Sequence, residues 1–351
     1  MSAPADATAA ASAAARSDAL PRQPWNRPLA VVAVLTVLLV PLPLVLPGAQ
    51  EAVAVRVLIF ALLSIGWNVM SGFGGMFSFG HAAYFGLGAY TTAWLLVERG
   101  VSPWIGMAAG MVIAAAFAVV IGFLALRYRL RGAYFALATF AFAEMLRLWA
   151  IGSDFVNRAE GYHVPLLPES SWWYLQFEPG SPNYFWIALA LTVAALVVSI
   201  LFLRSRAGQF TLAARDDAEA AASLGIPVMR YKLTTMALAG AISSVAGAFY
   251  VQYYLFVDPD LAFGSSQSIQ AILPAVIGGV GTIWGPVIGA AVLGPLSDVT
   301  ATILRNPPPF LEFLQGRGGL DVILYGLLLI VIIRLLPKGI YGALQERWSR
   351  R

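Results

Sequence analysis

Cysteine is absent from the 351 residues, and histidine occurs only as His81 and His163. Without thiols there is no disulfide, no thiolate metal site and no cysteine nucleophile. Two histidines also exclude a poly-histidine metal centre. Charge is scarce: Asp, Glu, Lys and Arg make up 11% of the chain, against about 25% in a soluble domain. Lys232 and Lys338 are the only lysines, so arginine carries the net charge of +4. Apolar residues fill the rest. They make up 59% of the chain, and the mean hydropathy is +0.76. A soluble fold has too little interior for that much apolar surface. The bilayer accepts it, so the chain reads as an all-α polytopic membrane protein. Its runs are continuous and lack the period-two alternation of a β-barrel. Its basic balance belongs to membrane-flanking arginines, with no nucleic-acid partner.

Ten apolar segments fall near 29–47, 53–71, 78–97, 103–126, 132–150, 184–203, 233–255, 266–281, 283–301 and 319–336. About 20 residues span a bilayer, so about ten transmembrane helices are expected. Pro41, Pro43 and Pro47 predict a kink at the far end of the first. The eighth is short and reads as tilted, broken or re-entrant. An even number of spans puts both termini on one side. If that side is the cytoplasm, 16 of the 22 basic residues are inside, as the positive-inside rule requires. Residues 1–27 read as a disordered tail, 28–337 as the membrane domain and 338–351 as a basic tail. Residues 151–183 form an acidic outer loop and 204–232 the main cytoplasmic loop. Trp172, Trp173, Tyr174 and Trp186 lie in or near the outer loop, either as an interfacial belt or as a docking surface.

The cytoplasmic loop is the most informative stretch. Residues 213–224 are Ala-rich and predict one short helix, stopped by Gly225 and Pro227. Ala220 and Ala221 offer a small-residue face to a partner. Leu212 and Leu224 offer apolar anchors, and Arg215, Asp216, Asp217 and Glu219 fix orientation. The alternative is a helix lying on lipid.

Two glycine-rich stretches stand out. In the first, Ser71, Gly74, Gly75, Ser78, Gly80, His81 and Tyr84 mark a predicted helix break between the second and third spans. Such breaks supply free backbone groups beside a pathway, and the same glycines also suit close helix packing. In the second, Gly278, Gly279 and Gly281, followed by Gly285-Pro286, read as a tight helical hairpin. No Lys-Ser/Thr follows it, so it is not a phosphate loop. Glu144 and Arg147, at i and i+3 in the fifth span, are an intramembrane pair and therefore either a site or a structural pair. Asp298 and Asp321 sit near outer ends. No span carries the series of ionisable residues of a proton-driven pump, and no acid/base or metal constellation indicates an enzyme. An ion-coupled transporter using Glu144 is the rival class.

Together these stretches resemble the inner-membrane permease of branched-chain amino-acid ABC importers, over roughly residues 55–337. The resemblance lies in Glu219-Ala220-Ala221 followed after three residues by Gly225, in Ser78-Phe79-Gly80-His81 through Tyr90, in Arg131-Gly132-Ala133-Tyr134, and in Ile277 through Pro286. It implies a type II-like permease forming half of a translocation pathway in the cell inner membrane. Its expected partners are a sister permease, two ABC ATPase subunits and an external solute-binding protein. The expected cargo is leucine, isoleucine and valine, with urea, short amides or other amino acids as alternatives. The resemblance makes residues 213–225 the coupling helix that seats on the ATPase. It implies no cofactor in this chain, since ATP is used by the partner subunits. Gln209-Phe210 departs from the pattern where the family often has a second basic residue.

Overall fold

The computed structural model describes residues 27–46, 48–167, 169–178, 180–305, 326, 334 and 339–343. The Ala-rich start, most of the tenth apolar segment including Asp321, and most of the basic tail lie outside the described residues. The described residues are almost entirely helical. The helices are α1 (Arg27–Leu39), α2 (Leu42–Val45), α3 (Gly48–Trp67), α4 (His81–Arg99), α5 (Pro103–Arg127), α6 (Ala133–Gly152), α7 (Asn183–Arg204), α8 (Arg206–Asp216), α9 (Ala218–Ser223), α10 (Val228–Tyr254), α11 (Pro259–Phe263), α12 (Ser265–Gly278) and α13 (Gly285–Arg305).

Among the described residues, seven helical stretches are long and apolar enough to cross a membrane. The segments expected at 78–97 and 283–301 fold as α4 and α13. The proline-rich end of the first segment turns at Val40-Pro41 between α1 and α2. The short eighth segment folds as the continuous α12, and α11, whose C-cap is Gly264, extends it on the N-terminal side so that Pro259–Gly278 is one of the seven.

Helix α10 packs on α3, α4 and α5 and forms the centre of the bundle. Lipid gives helices no hydrophobic drive to associate, so close backbone approach has to hold them. Gly88 supplies that approach: a Cβ there would strike the Ser244 backbone of α10. Gly247 meets the Phe85 backbone of α4 in the same way. The outward faces stay apolar, with Val37, Val112 and Leu137 exposed on α1, α5 and α6. That is the surface a bilayer covers.

The connecting segments divide between two ends of the bundle. Residues 68–80, 128–132, 205–227 and 279–284 meet at one, the arginine-rich end. The opposite end carries residues 153–182. There a two-stranded antiparallel ladder pairs β1 (Tyr162–His163) with β2 (Phe256–Val257), Tyr162 opposite Val257. Ser102 Oγ donates to the Trp173 carbonyl at 2.6 Å and the Trp104 indole N–H to the Trp172 carbonyl at 2.9 Å. The aromatic loop is thus strapped to the start of α5.

Candidate functional site

The site grows from an interruption in α3. After Trp67 the chain makes one π-helical turn, Asn68–Phe73, a geometry concentrated at functional positions. It then runs irregularly to Gly80. The backbone groups freed there find partners within the protein. The Trp67 indole N–H donates to the Ser78 carbonyl at 2.8 Å and Ser71 Oγ to the Met76 carbonyl at 3.1 Å. Ser71 Oγ and Ser78 Oγ accept from the amides of Ser78 and Gly80. Thr139 Oγ1 and Ser268 Oγ accept from Phe79 and Ala82.

Ser71, Ser78, His81 and Tyr84 are consequently buried. His81 meets Tyr84 edge-on at 5.3 Å. A Cβ at Gly80 would strike the Thr139 backbone, and one at Gly74 the Met70 carbonyl. These residues pack the break within the protein and do not line the cavity described below.

The second glycine-rich stretch is a tight turn joining α12 to α13, with positive φ at Gly279 and Gly281. Gly278 backs directly onto the Gly285 backbone, and Gly289 onto that of Pro274. Thr282 closes the turn: its hydroxyl donates to the Gly279 carbonyl at 2.7 Å and accepts from the Gly285 amide at 3.0 Å.

Asn68 joins the two stretches. Its Nδ2 donates to the Thr282 carbonyl and its Oδ1 accepts from the Gly281 amide, both at 2.8 Å. Gly72 sits against this contact, where a Cβ would strike Asn68 Oδ1 and the Gly281 amide.

The 204–232 loop completes the cluster, with one correction. Residues 213–224 are not a single helix. Helix α8 ends at Asp216, and Asp217 starts α9 by accepting the Glu219 and Ala220 amides, both at 2.9 Å. An Asp with extended backbone is a strong N-cap, so it stops one helix and begins the next. Gly225 ends α9 with φ +82, and the Ile226 amide reaches back to the Ala221 carbonyl at 3.1 Å. That is a Schellman closure, which favours Gly at this position.

The small-residue face is half of what the sequence predicts: Ala220 is exposed, but Ala221 is buried. Leu224 is 82% exposed, whereas Leu212 packs on the core. Glu219 pairs with Arg131 at 3.5 Å. Phe210 meets Tyr231 at 5.0 Å, and Gln209 donates to the Leu203 carbonyl.

Arg215 turns inward. Its Nε and Nη2 donate to Asp216 Oδ1 at 3.0 and 2.9 Å. Its Nη1 donates to the Gly72 carbonyl at 3.2 Å. Its aliphatic stem lies on Gly75, whose φ of +67 and lack of a Cβ leave the space. One side chain therefore ties α8 to the α3 break, and its Nη1 lies close to Gly281 of the hairpin.

A family model described as branched-chain amino acid transport system / permease component matches residues 50–333. The chain belongs to this permease family. It is 29% identical over 281 residues to the high-affinity branched-chain amino acid transport system permease protein LivM of Escherichia coli. That match covers 74% of this chain and 65% of the relative, so the chain spans just under two thirds of the LivM protein. It is 27% identical over 296 residues to LivH of the same bacterium, covering 81% of this chain and 91% of LivH. An L-arabinose permease protein, AraH of Azospirillum brasilense, is 29% identical over 223 residues, covering 62% of this chain and 61% of AraH. No solved structure matches. The family is one of multi-pass membrane permeases, not of enzymes.

The Glu144–Arg147 pair is part of a triad. Arg147 Nε donates to both Glu144 oxygens at 3.0 Å, and its Nη1 reaches Asp260 of α11. Asp260 is 76% exposed and Glu144 34%, so the triad sits at the rim of the opposite end. Sequence reasoning missed Asp260, Thr139, Ser268 and Thr282. It also passed over Asn68, although a lone amide in an apolar span is itself a signal.

Proposed function

We propose that the chain is the permease subunit of an ATP-driven importer of branched-chain amino acids in the cell inner membrane. It supplies half of the translocation pathway beside a sister permease. An external binding protein delivers the solute, and two ABC ATPase subunits bind and hydrolyse the ATP. The arginine-rich end is cytoplasmic. Residues Arg206–Ser223 seat on an ATPase subunit and receive its closing motion. Glu219, Ala220 and Leu224 face that partner, while Arg215 transmits the displacement to Gly72, Asn68 and the Gly279–Gly285 hairpin. Rigid-body movement of such a tied unit is one established form of switching.

The observation that carries this reading is the Arg215 bridge. An exposed, multiply capped helix pair is joined by a charge-assisted hydrogen bond to the α3 break, and Asn68 of that break holds the hairpin. An ion-coupled transporter would need Glu144 within a relay across the membrane, and Glu144 is held at the rim by Arg147.

The test is reconstitution of the four-part complex in liposomes with Glu219→Ala and Gly225→Val. Both variants are expected to assemble yet lose solute-stimulated ATP hydrolysis and uptake together. Unchanged uptake with unchanged stimulation overturns the coupling role.

A further inference from the structure

A cavity of about 500 Å³ lies between α3, α12 and α13, away from the glycine cluster. That is within the range of small-molecule pockets, roughly 300–1,000 Å³. Phe60, Ile269, Leu273 and Leu293 give it apolar walls, and Gln270 and Arg56 add polar groups. Arg56 faces Asp298 of α13 across a loose 4.0 Å ion pair, with the two side chains 42% and 43% exposed. Arg56 Nε has no hydrogen-bond partner among the described residues. Arg56 lies twelve residues before Asn68, about 18 Å along α3 and the turn that continues it. The charged pair is therefore well separated from the arginine-rich end. Pro274 lines the cavity, and its backbone is met by Gly289 of α13, four residues after the hairpin.

Arg56 lines the cavity and Asp298 flanks it through their ion pair; a charged pair beside a mostly apolar wall is costly in a membrane and marks a site by default. Its loose geometry leaves capacity on both partners. A guanidinium has five donors in a fork that matches a carboxylate. We propose that this cavity is a transit site for a zwitterionic α-amino acid. Arg56 takes its carboxylate, Asp298 takes its ammonium, and the Phe60–Leu293 wall takes an aliphatic side chain. A neutral sugar, urea or amide has no charges with which to divide the pair, so the site selects amino acids against those cargoes. This deepens the importer reading and rests on it. Motion of the Gly279–Gly285 hairpin then opens or closes the floor beneath the bound molecule.

The experiment is uptake of radiolabelled leucine by the complete importer in ATP-loaded liposomes, with solute-loaded binding protein in excess. Arg56→Gln is expected to lower uptake about tenfold to a hundredfold, the range for one charge-assisted pair. Asp298→Asn is expected to lower it in the same direction. The exchange Arg56→Asp with Asp298→Arg restores an ion pair but reverses the site, so uptake stays low although the complex assembles. Ile269→Trp fills the cavity without touching either charge and is expected to block uptake. It tests the site even if a charge variant fails to assemble.

Uptake of Arg56→Gln within about twofold of the parent, restoration by the exchange, or full uptake by Ile269→Trp overturns the proposal. If the unaltered complex moves arabinose or urea and not leucine, the importer's cargo reading fails first and the site falls with it. Leucine uptake by the unaltered complex with a normal Arg56→Gln variant removes the site alone.

Discussion

The two ends of the bundle hold irregular backbone in opposite ways. At the arginine-rich end, the break after Trp67 and the Gly279–Gly285 hairpin are bound to each other through buried Asn68 and to α8 through Arg215. At the opposite end, Arg147, Glu144, Asp260, Arg56 and Asp298 pair at partly or largely exposed positions, and the 153–182 segment is strapped on by aromatic residues and a two-residue ladder. Buried bonds between irregular segments make a unit that moves whole, because losing one leaves an unpaired polar group. Exposed ion pairs cost little to open. The first end suits transmission of a force, and the second suits a rim that admits a passing charge.

The largest effect that can break this contrast is steric. Gly88→Leu drives a side chain into the Ser244 backbone and is expected to cost about 4 kcal/mol or more. Fluorescence-detected size exclusion should then recover almost no complex. Gly152→Ala, where nothing lies within 4 Å of the added carbon, is the control and should be recovered normally.

Next comes Asn68→Ala, which strips the partners from the Gly281 amide and the Thr282 carbonyl. A loss of about 2–3 kcal/mol is expected, read as a lower Tm in the intrinsic fluorescence of the ten tryptophans. An unchanged Tm means that the hairpin stands without α3, and the rigid-unit picture fails.

Arg215→Lys keeps the charge but loses the fork that holds Asp216 and Gly72 together. Its stability cost is expected to stay within about 1 kcal/mol, while solute-stimulated ATP hydrolysis falls. If stability and coupling fall in parallel, Arg215 is a brace and not a transmitter.

Glu144→Gln should have the smallest effect. Arg147 keeps Asp260, so the cost is expected below about 1 kcal/mol, with full uptake. Lost uptake in an assembled Glu144→Gln complex would return the ion-coupled reading to the front.

Much of this was legible in the residues. The continuous apolar runs announce the spans, the proline cluster announces the turn at Val40-Pro41, and the glycine clusters announce the break and the hairpin. The Ala-rich helical segment at 213–224 was visible, but its division at Asp217 was not, because alanine favours helix on both sides and propensity ranks Asp only as a weak helix former. Whether Asp217 caps or continues depends on where its own backbone points. Ala220 and Ala221 look alike in sequence, and only docking on the bundle makes one exposed and the other buried. The meeting of Asn68 with residues 281 and 282 spans more than 200 positions of chain, which no local pattern encodes.

The amino-acid sequence by itself determined the solvent of this protein, its helical class and the places where proline and glycine stop its helices. Hydropathy, proline geometry and the conformational freedom of glycine act over a few residues, and a chain carries them wherever it goes. Only the tertiary structure decided which breaks meet, that Arg215 reaches Gly72, and that Arg56 and Asp298 face each other beside an apolar cavity. Those are contacts between distant segments, set by how close small residues let helix backbones approach.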